Sequence, residues 1–155
     1  MDTLHSLLLY AHSFVRWVVL VFGLLAVAYG LRGSFGSRPW APADARYGRW
    51  FATSMDVQAL LGLVLYFTAD WFRHAFDMSE PVPTRFFATE HVIVMLVALV
   101  VVHLGVVVMR RTASDVCKFR RSTILFGLAL LAILAATPWP WTEYGRELIR
   151  LPGLG

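Results

Sequence analysis

The sequence predicts an all-α integral membrane protein with four transmembrane helices in an up-down-up-down bundle, and three observations lead there. The 155 residues are 58% hydrophobic and only 15% charged, with a mean hydropathy of +0.63, a combination foreign to soluble domains. The apolar residues gather into four blocks, at 7–31, 51–67, 91–109 and 122–137. The basic residues divide between the intervening segments as membrane topology requires.

A helix needs about 20 residues to cross a hydrocarbon layer roughly 30 Å thick, and each block reaches that length with its aromatic flanks. One membrane domain therefore occupies 1–155, with helices at about 5–31, 49–68, 89–109 and 122–141. The first has no basic leader and no small-residue cleavage site after Leu31, so it reads as a retained span rather than a signal peptide. The segment after it holds Gly33, Gly36, Pro39 and Pro42, an irregular connection. Asp56 and Gln58 interrupt the second block. The connection around 68–89 carries Trp71, Phe72, Phe76, Phe86 and Phe87 with Pro81 and Pro83, which fits a short interfacial segment with its rings at headgroup level. The fourth helix meets Pro138-Trp139-Pro140-Trp141, where prolines stop a helix and tryptophans seek the interface. A short interfacial tail, 142–155, follows, with Leu148, Ile149 and Leu151 expected to turn toward lipid as one or two amphipathic turns.

The net charge of +4 is no nucleic-acid signature. Arg32, Arg38, Arg46 and Arg49 lie between helices 1 and 2, and Arg110, Arg111, Lys118, Arg120 and Arg121 between helices 3 and 4. Two crossings separate these groups, so they share a face. The opposite face mixes Arg16, Arg73, Arg85, Arg146 and Arg150 with Asp2, Asp70, Asp77, Glu80, Glu90, Glu143 and Glu147. The positive-inside rule puts the first face in the cytoplasm and both termini outside. The single cysteine, Cys117, falls in the cytoplasmic connection and excludes a disulfide framework.

Ionisable groups among apolar residues are the candidates for chemistry, because each costs about 2.5–3.5 kcal/mol in a membrane even on lenient scales. Counting depth at 1.5 Å per residue sorts them into two rungs. Asp56 and His103 both sit about 9–11 Å inside the cytoplasmic ends, a possible polar pair between neighbouring helices. His12 and His91 lie near the outer boundary, flanked by Glu90, with Arg16 one turn below His12 on the same face. Haem b needs one or two imidazoles at a common depth, and facing helices can hold the ring between them. His12 and His91 meet that condition as metal ligands, and the guanidinium fork of Arg16 suits a propionate. A 12-residue spacing turns His103 about 120° from His91, so one helix face does not present both to a common axis.

Plainer roles stand beside these. Histidines at the boundary need no ligand, and Arg16 can snorkel outward. Asp56 and His103 can lock two helices together or carry protons. Met95, four residues after His91, reads as packing; His5 and His74 read as exposed; Gly23, Gly62, Gly105 and Gly127 read as points of close helix approach. No nucleophile–base pair, phosphate-cradling loop or thiolate cluster appears, which removes hydrolase and kinase functions.

Several stretches together carry a resemblance: His12-Ser13-Phe14-Val15-Arg16-Trp17, Gln58 through Phe67, Thr89-Glu90-His91, Lys118-Phe119-Arg120-Arg121 and Pro138-Trp139-Pro140-Trp141. Across nearly the whole chain the set resembles a family of small four-helix bacterial inner-membrane proteins labelled "cytochrome B". The resemblance implies a multi-pass protein of the bacterial inner membrane. It also implies that a histidine often stands where this chain has Asp56, which removes an inner bis-histidine site with His103 and leaves His12 and His91. The functional expectation is a b-type cytochrome passing electrons within or beside a respiratory complex, with haem b as cofactor and quinone or a larger respiratory or photosynthetic complex as partner. A non-catalytic small subunit bound among membrane lipids, and a proton or ion transport element using Asp56 and His103, are the alternatives.

Overall fold

The computed structural model describes residues 3–36 and 38–148 and is all-helical over them. The long helices are α1 (Thr3–Phe35), α2 (Ala45–Thr68), α4 (His91–Arg111) and α5 (Asp115–Ala135), with a one-turn α3 (Val82–Arg85) in the connection before α4. A single π-helical turn, Phe86–Glu90, joins α3 to α4. Three rods are long and apolar enough to cross a membrane: Thr3–Phe35, Pro42–Thr68 and Val82–Arg111. α5 opens with Asp115, Lys118, Arg120 and Arg121, leaving an apolar stretch, 122–135, about 21 Å long at 1.5 Å per residue.

Several expected boundaries move: α2 starts at Ala45 rather than 49 and α5 at Asp115 rather than 122. The fourth helix ends at Ala135 rather than 141, and residues 142–148 form turns rather than amphipathic helix. Pro138 and Pro140 lack the N–H groups that would continue the ladder, and the Thr137 hydroxyl already donates to the Ile133 carbonyl at 2.7 Å. The first helix runs on to Phe35, where the Ser34 hydroxyl donates to the Gly30 carbonyl at 2.8 Å. Ile149 and Leu151, like Asp2 and Arg150, lie outside the described residues.

The molecule is inside-out relative to a soluble protein. Phe14 is 70% exposed, Leu60 65% and Leu131 65%, so the outer faces of α1, α2 and α5 present large apolar side chains to their surroundings. Three hydroxyls are satisfied within their own helices: Ser54 donates to the Phe51 carbonyl, Thr68 to Val64 and Ser122 to Lys118, while the buried Thr123 Oγ1 has no partner among the described residues.

The long helices meet in the ring order α1, α2, α4, α5, with α1 and α4 on one diagonal. Phe126 of α5 locks the other diagonal. Its ring lies edge-on to Phe51, centroids 5.9 Å apart, and fills the notch left by two glycines of different helices. A Cβ on Gly105 would stand 2.5 Å from that ring and one on Gly48 2.7 Å. Phe119 sits the same way against Gly33, and the Trp40 ring lies tilted against Phe119, centroids 4.6 Å apart, while the Trp40 backbone N–H donates to the Asp115 carboxylate. The connection 36–44, irregular by sequence, is thereby pinned to the start of α5. Gly127, expected at a helix contact, faces open space.

Across the bundle, residues 69–81 form turns around a short 3₁₀ helix, Trp71–His74. Phe76 adopts φ 64°, a strained conformation for a bulky residue, with its N–H held by the Thr89 hydroxyl at 2.9 Å. Ser79 donates through its hydroxyl and its N–H to Asp77, which holds that carboxyl below the usual range. His74 pairs with Glu80 at 2.6 Å instead of standing free.

Gly105→Ala is expected to destabilise the detergent-solubilised protein by about 1–3 kcal/mol through overpacking against Phe126, whereas Gly127→Ala is neutral. Thermal unfolding followed by circular dichroism measures the difference, and equal effects from the two substitutions refute the notch.

Candidate functional site

Above the aromatic lock the helices part around a cavity of about 390 Å³. His12 and Arg16 of α1, Gln58 and Gly62 of α2 and His91 and Met95 of α4 line it, and residues of the segment after α5 close it. The volume falls in the ordinary range for small-molecule and cofactor sites, roughly 300–1,000 Å³. His12, Arg16 and His91, grouped by depth in the sequence, all line this one cavity.

His91 owes its position to the π turn. That turn sets Phe86 and Phe87 beside the imidazole, with ring centroids 5.6 and 6.0 Å away. Single π turns inside helices are rare and recur at functional sites. The His91 Nδ1–H donates to the Ala136 carbonyl at 2.9 Å, a group freed because α5 has just ended. That bond fixes the tautomer and leaves Nε2 as the basic nitrogen. Among the described residues nothing bonds Nε2.

His12 is held differently. The Gln58 side-chain amide donates to its Nε2 at 3.1 Å, which puts the ring proton on Nδ1. The ring edge lies over Gly62, where a Cβ would come within 3.1 Å of Cε1. His12 Nδ1, Gln58 Oε1 and Arg16 Nε are all buried without a partner. Buried polar atoms are paired in the great majority of cases, so three orphans on the side chains of one cavity mark a place built for something more. Gln58 and Gly62, four residues apart on one face of α2, are the site residues that sequence reading misses; a polar residue and a glycine at helical spacing opposite His12 are the available signal.

Arg16 does not snorkel free. Its Nη2 donates to the Leu148 carbonyl at 2.5 Å, and Trp17 Nε1 donates to the same oxygen at 2.9 Å. This tether, with Tyr144 stacked on Phe86 at 3.6 Å, draws the segment 138–148 across the outer side of the cavity. His5, expected to be exposed, is partly buried and lines the cavity as well. Glu90 stays outside it, half-exposed and paired with Arg85 at 3.1 Å.

Asp56 and His103 do meet, with Oδ1 3.4 Å from Nε2, but on the outer side of the α2–α4 seam and about half-exposed. His103 Nδ1–H donates to the Leu99 carbonyl at 3.0 Å, which leaves Nε2 facing the carboxyl. Neither residue lines the cavity.

No family model matches the chain, and neither a curated protein nor a solved structure shows significant similarity to it.

Replacing Arg16 by Met and Trp17 by Phe removes both donors to Leu148, about 1 kcal/mol each. Hydrogen exchange across 138–148 is expected to quicken while exchange in α2 and α4 stays unchanged; unaltered exchange refutes the tether.

Proposed function

We propose that this protein is a membrane-bound, b-type cytochrome-like electron carrier that acts within or beside a respiratory complex, with haem b in the outer cavity. The observation that carries the proposal is His91. An imidazole whose Nδ1–H is spent on a backbone carbonyl and whose Nε2 lacks a partner in a cavity of cofactor size is dressed as a metal ligand. Arg16 supports the same reading, since its Nε remains for a propionate after Nη2 is committed to Leu148. The residues fit the group: His91 and Arg16 would hold it, and most of the lining, Met95 included, is apolar. Haem bound there supplies one-electron chemistry, while the chain sets its axial ligand, its polarity and its access to the membrane. The resemblance to four-helix inner-membrane proteins labelled "cytochrome B" points the same way.

The matching topology has four crossings, α5 being completed by its flanking tryptophans, with the cavity and both termini on the outer side of a bacterial inner membrane. The basic clusters at 32–49 and 110–121 then face the cytoplasm. Cys117, the single cysteine, reports on this: a membrane-impermeant maleimide is expected to label it in inverted vesicles and not in intact cells. Labelling in intact cells reverses the orientation.

One observation favours a second reading, that of a small non-catalytic subunit. The Asp56–His103 pair faces outward from spanning helices, where ionisable groups normally have a protein partner. Its separation from the cavity speaks against a proton or ion path through the bundle.

Absorption spectroscopy of protein purified from membranes separates these. The carrier predicts a Soret band and a reduced-minus-oxidised α-band, both lost in His91→Ala. A preparation that stays colourless and takes up no added haemin refutes it, and a colourless protein that co-purifies with a larger complex only when Asp56 and His103 are intact supports the subunit.

A further inference from the structure

The two histidines of the cavity are not equivalent, and the difference bears on what the site binds. A ligating histidine almost always donates its second ring N–H to a carbonyl, carboxylate or water, which fixes the ring and raises its basicity. His91 does so through Ala136. His12 does the reverse. Its Nε2 accepts from Gln58, and its Nδ1 is buried with no acceptor. The ring is further seated against the backbone of Gly62. His12 thus lacks the support of an axial ligand and has the setting of a hydrogen-bonding side chain, fastened to an amide across the cavity from His91, on the diagonal formed by α1 and α4.

We infer that the site is built for a single axial histidine, His91, and that the His12–Gln58 pair stands over an open coordination position that accepts a small exogenous ligand. The inference rests on the haem reading of the cavity and deepens it: the protein is a ligand-binding haem protein as well as an electron carrier. The class of ligand is one that donates an electron pair to iron and takes a hydrogen bond from the second N–H of the Gln58 amide, as azide and fluoride do on ferric iron and carbon monoxide in part on ferrous iron. His12 and Gln58 are then positioning residues, and Gly62 provides the space in which His12 lies.

The test uses the full-length protein in detergent, as purified or loaded with haemin, read by absorption and electron paramagnetic resonance. The expected result is a high-spin ferric signal, a Soret shift with azide, and a carbon monoxide complex on reduction. Gln58→Leu keeps the haem, and its azide affinity falls roughly tenfold, the effect of one hydrogen bond to an anion. His91→Gly loses the haem, and imidazole in the buffer restores it, which shows that the variant still folds. A low-spin bis-imidazole spectrum that excludes carbon monoxide and is lost in His12→Ala overturns this inference while leaving the haem reading intact. Protein that binds no haem under any of these conditions overturns both.

Discussion

The packing of Phe126 into the notch between Gly48 and Gly105 is the contact on which the rest depends. Bilayer hydrocarbon gives helices no hydrophobic reason to associate, so close packing at small residues must hold them together. One ring from α5 touches α2 and α4 at once, and Phe119 repeats the motif against α1. Both contacts lie toward the basic end of the bundle. There the four helices are closed around Phe51, Phe119 and Phe126, each under 3% exposed. At the other end the buried ring of Phe86 stacks on Tyr144 of the segment after α5 rather than entering a glycine notch, and the helices part. The cavity is the counterpart of the lock: one end is tight, so the other can stay open without the bundle falling apart.

Much of this was legible in the sequence, for a reason specific to membranes. In lipid the backbone has to satisfy itself within the helix, so long apolar blocks translate directly into rods, and the rise per residue turns position into depth. Depth alone grouped His12 with His91 and Asp56 with His103. Rotation about the helix axis is set by packing, and there the reading failed. It could not see that Gln58 and Gly62 face His12, that Asp56 and His103 face outward, or that Gly127 touches nothing while Gly30 and Gly33 lie against α5. The helix ends were obscured for another reason: tryptophans and prolines at 138–141 mark an interface without saying whether the chain there is helical.

Polar groups fall into two kinds. The Ser54, Thr68 and Ser122 hydroxyls bond back to their own helices and tie no two elements together. The side chains of the cavity bond between elements: Gln58 to His12, His91 to the end of α5, Arg16 and Trp17 to Leu148. These cross-links tie the open end together, so the same residues that line the cavity also keep its walls at their spacing.

The tether at Leu148 has a consequence for assembly. Residues 138–148 follow all four long helices in chain order, so the wall they form docks on helices that precede it in the chain. Until it docks on Arg16 and Trp17, the cavity lacks its outer side. Docking of this segment and closure of the cavity are therefore one event, and two donors from neighbouring residues meet a single peptide oxygen to hold it.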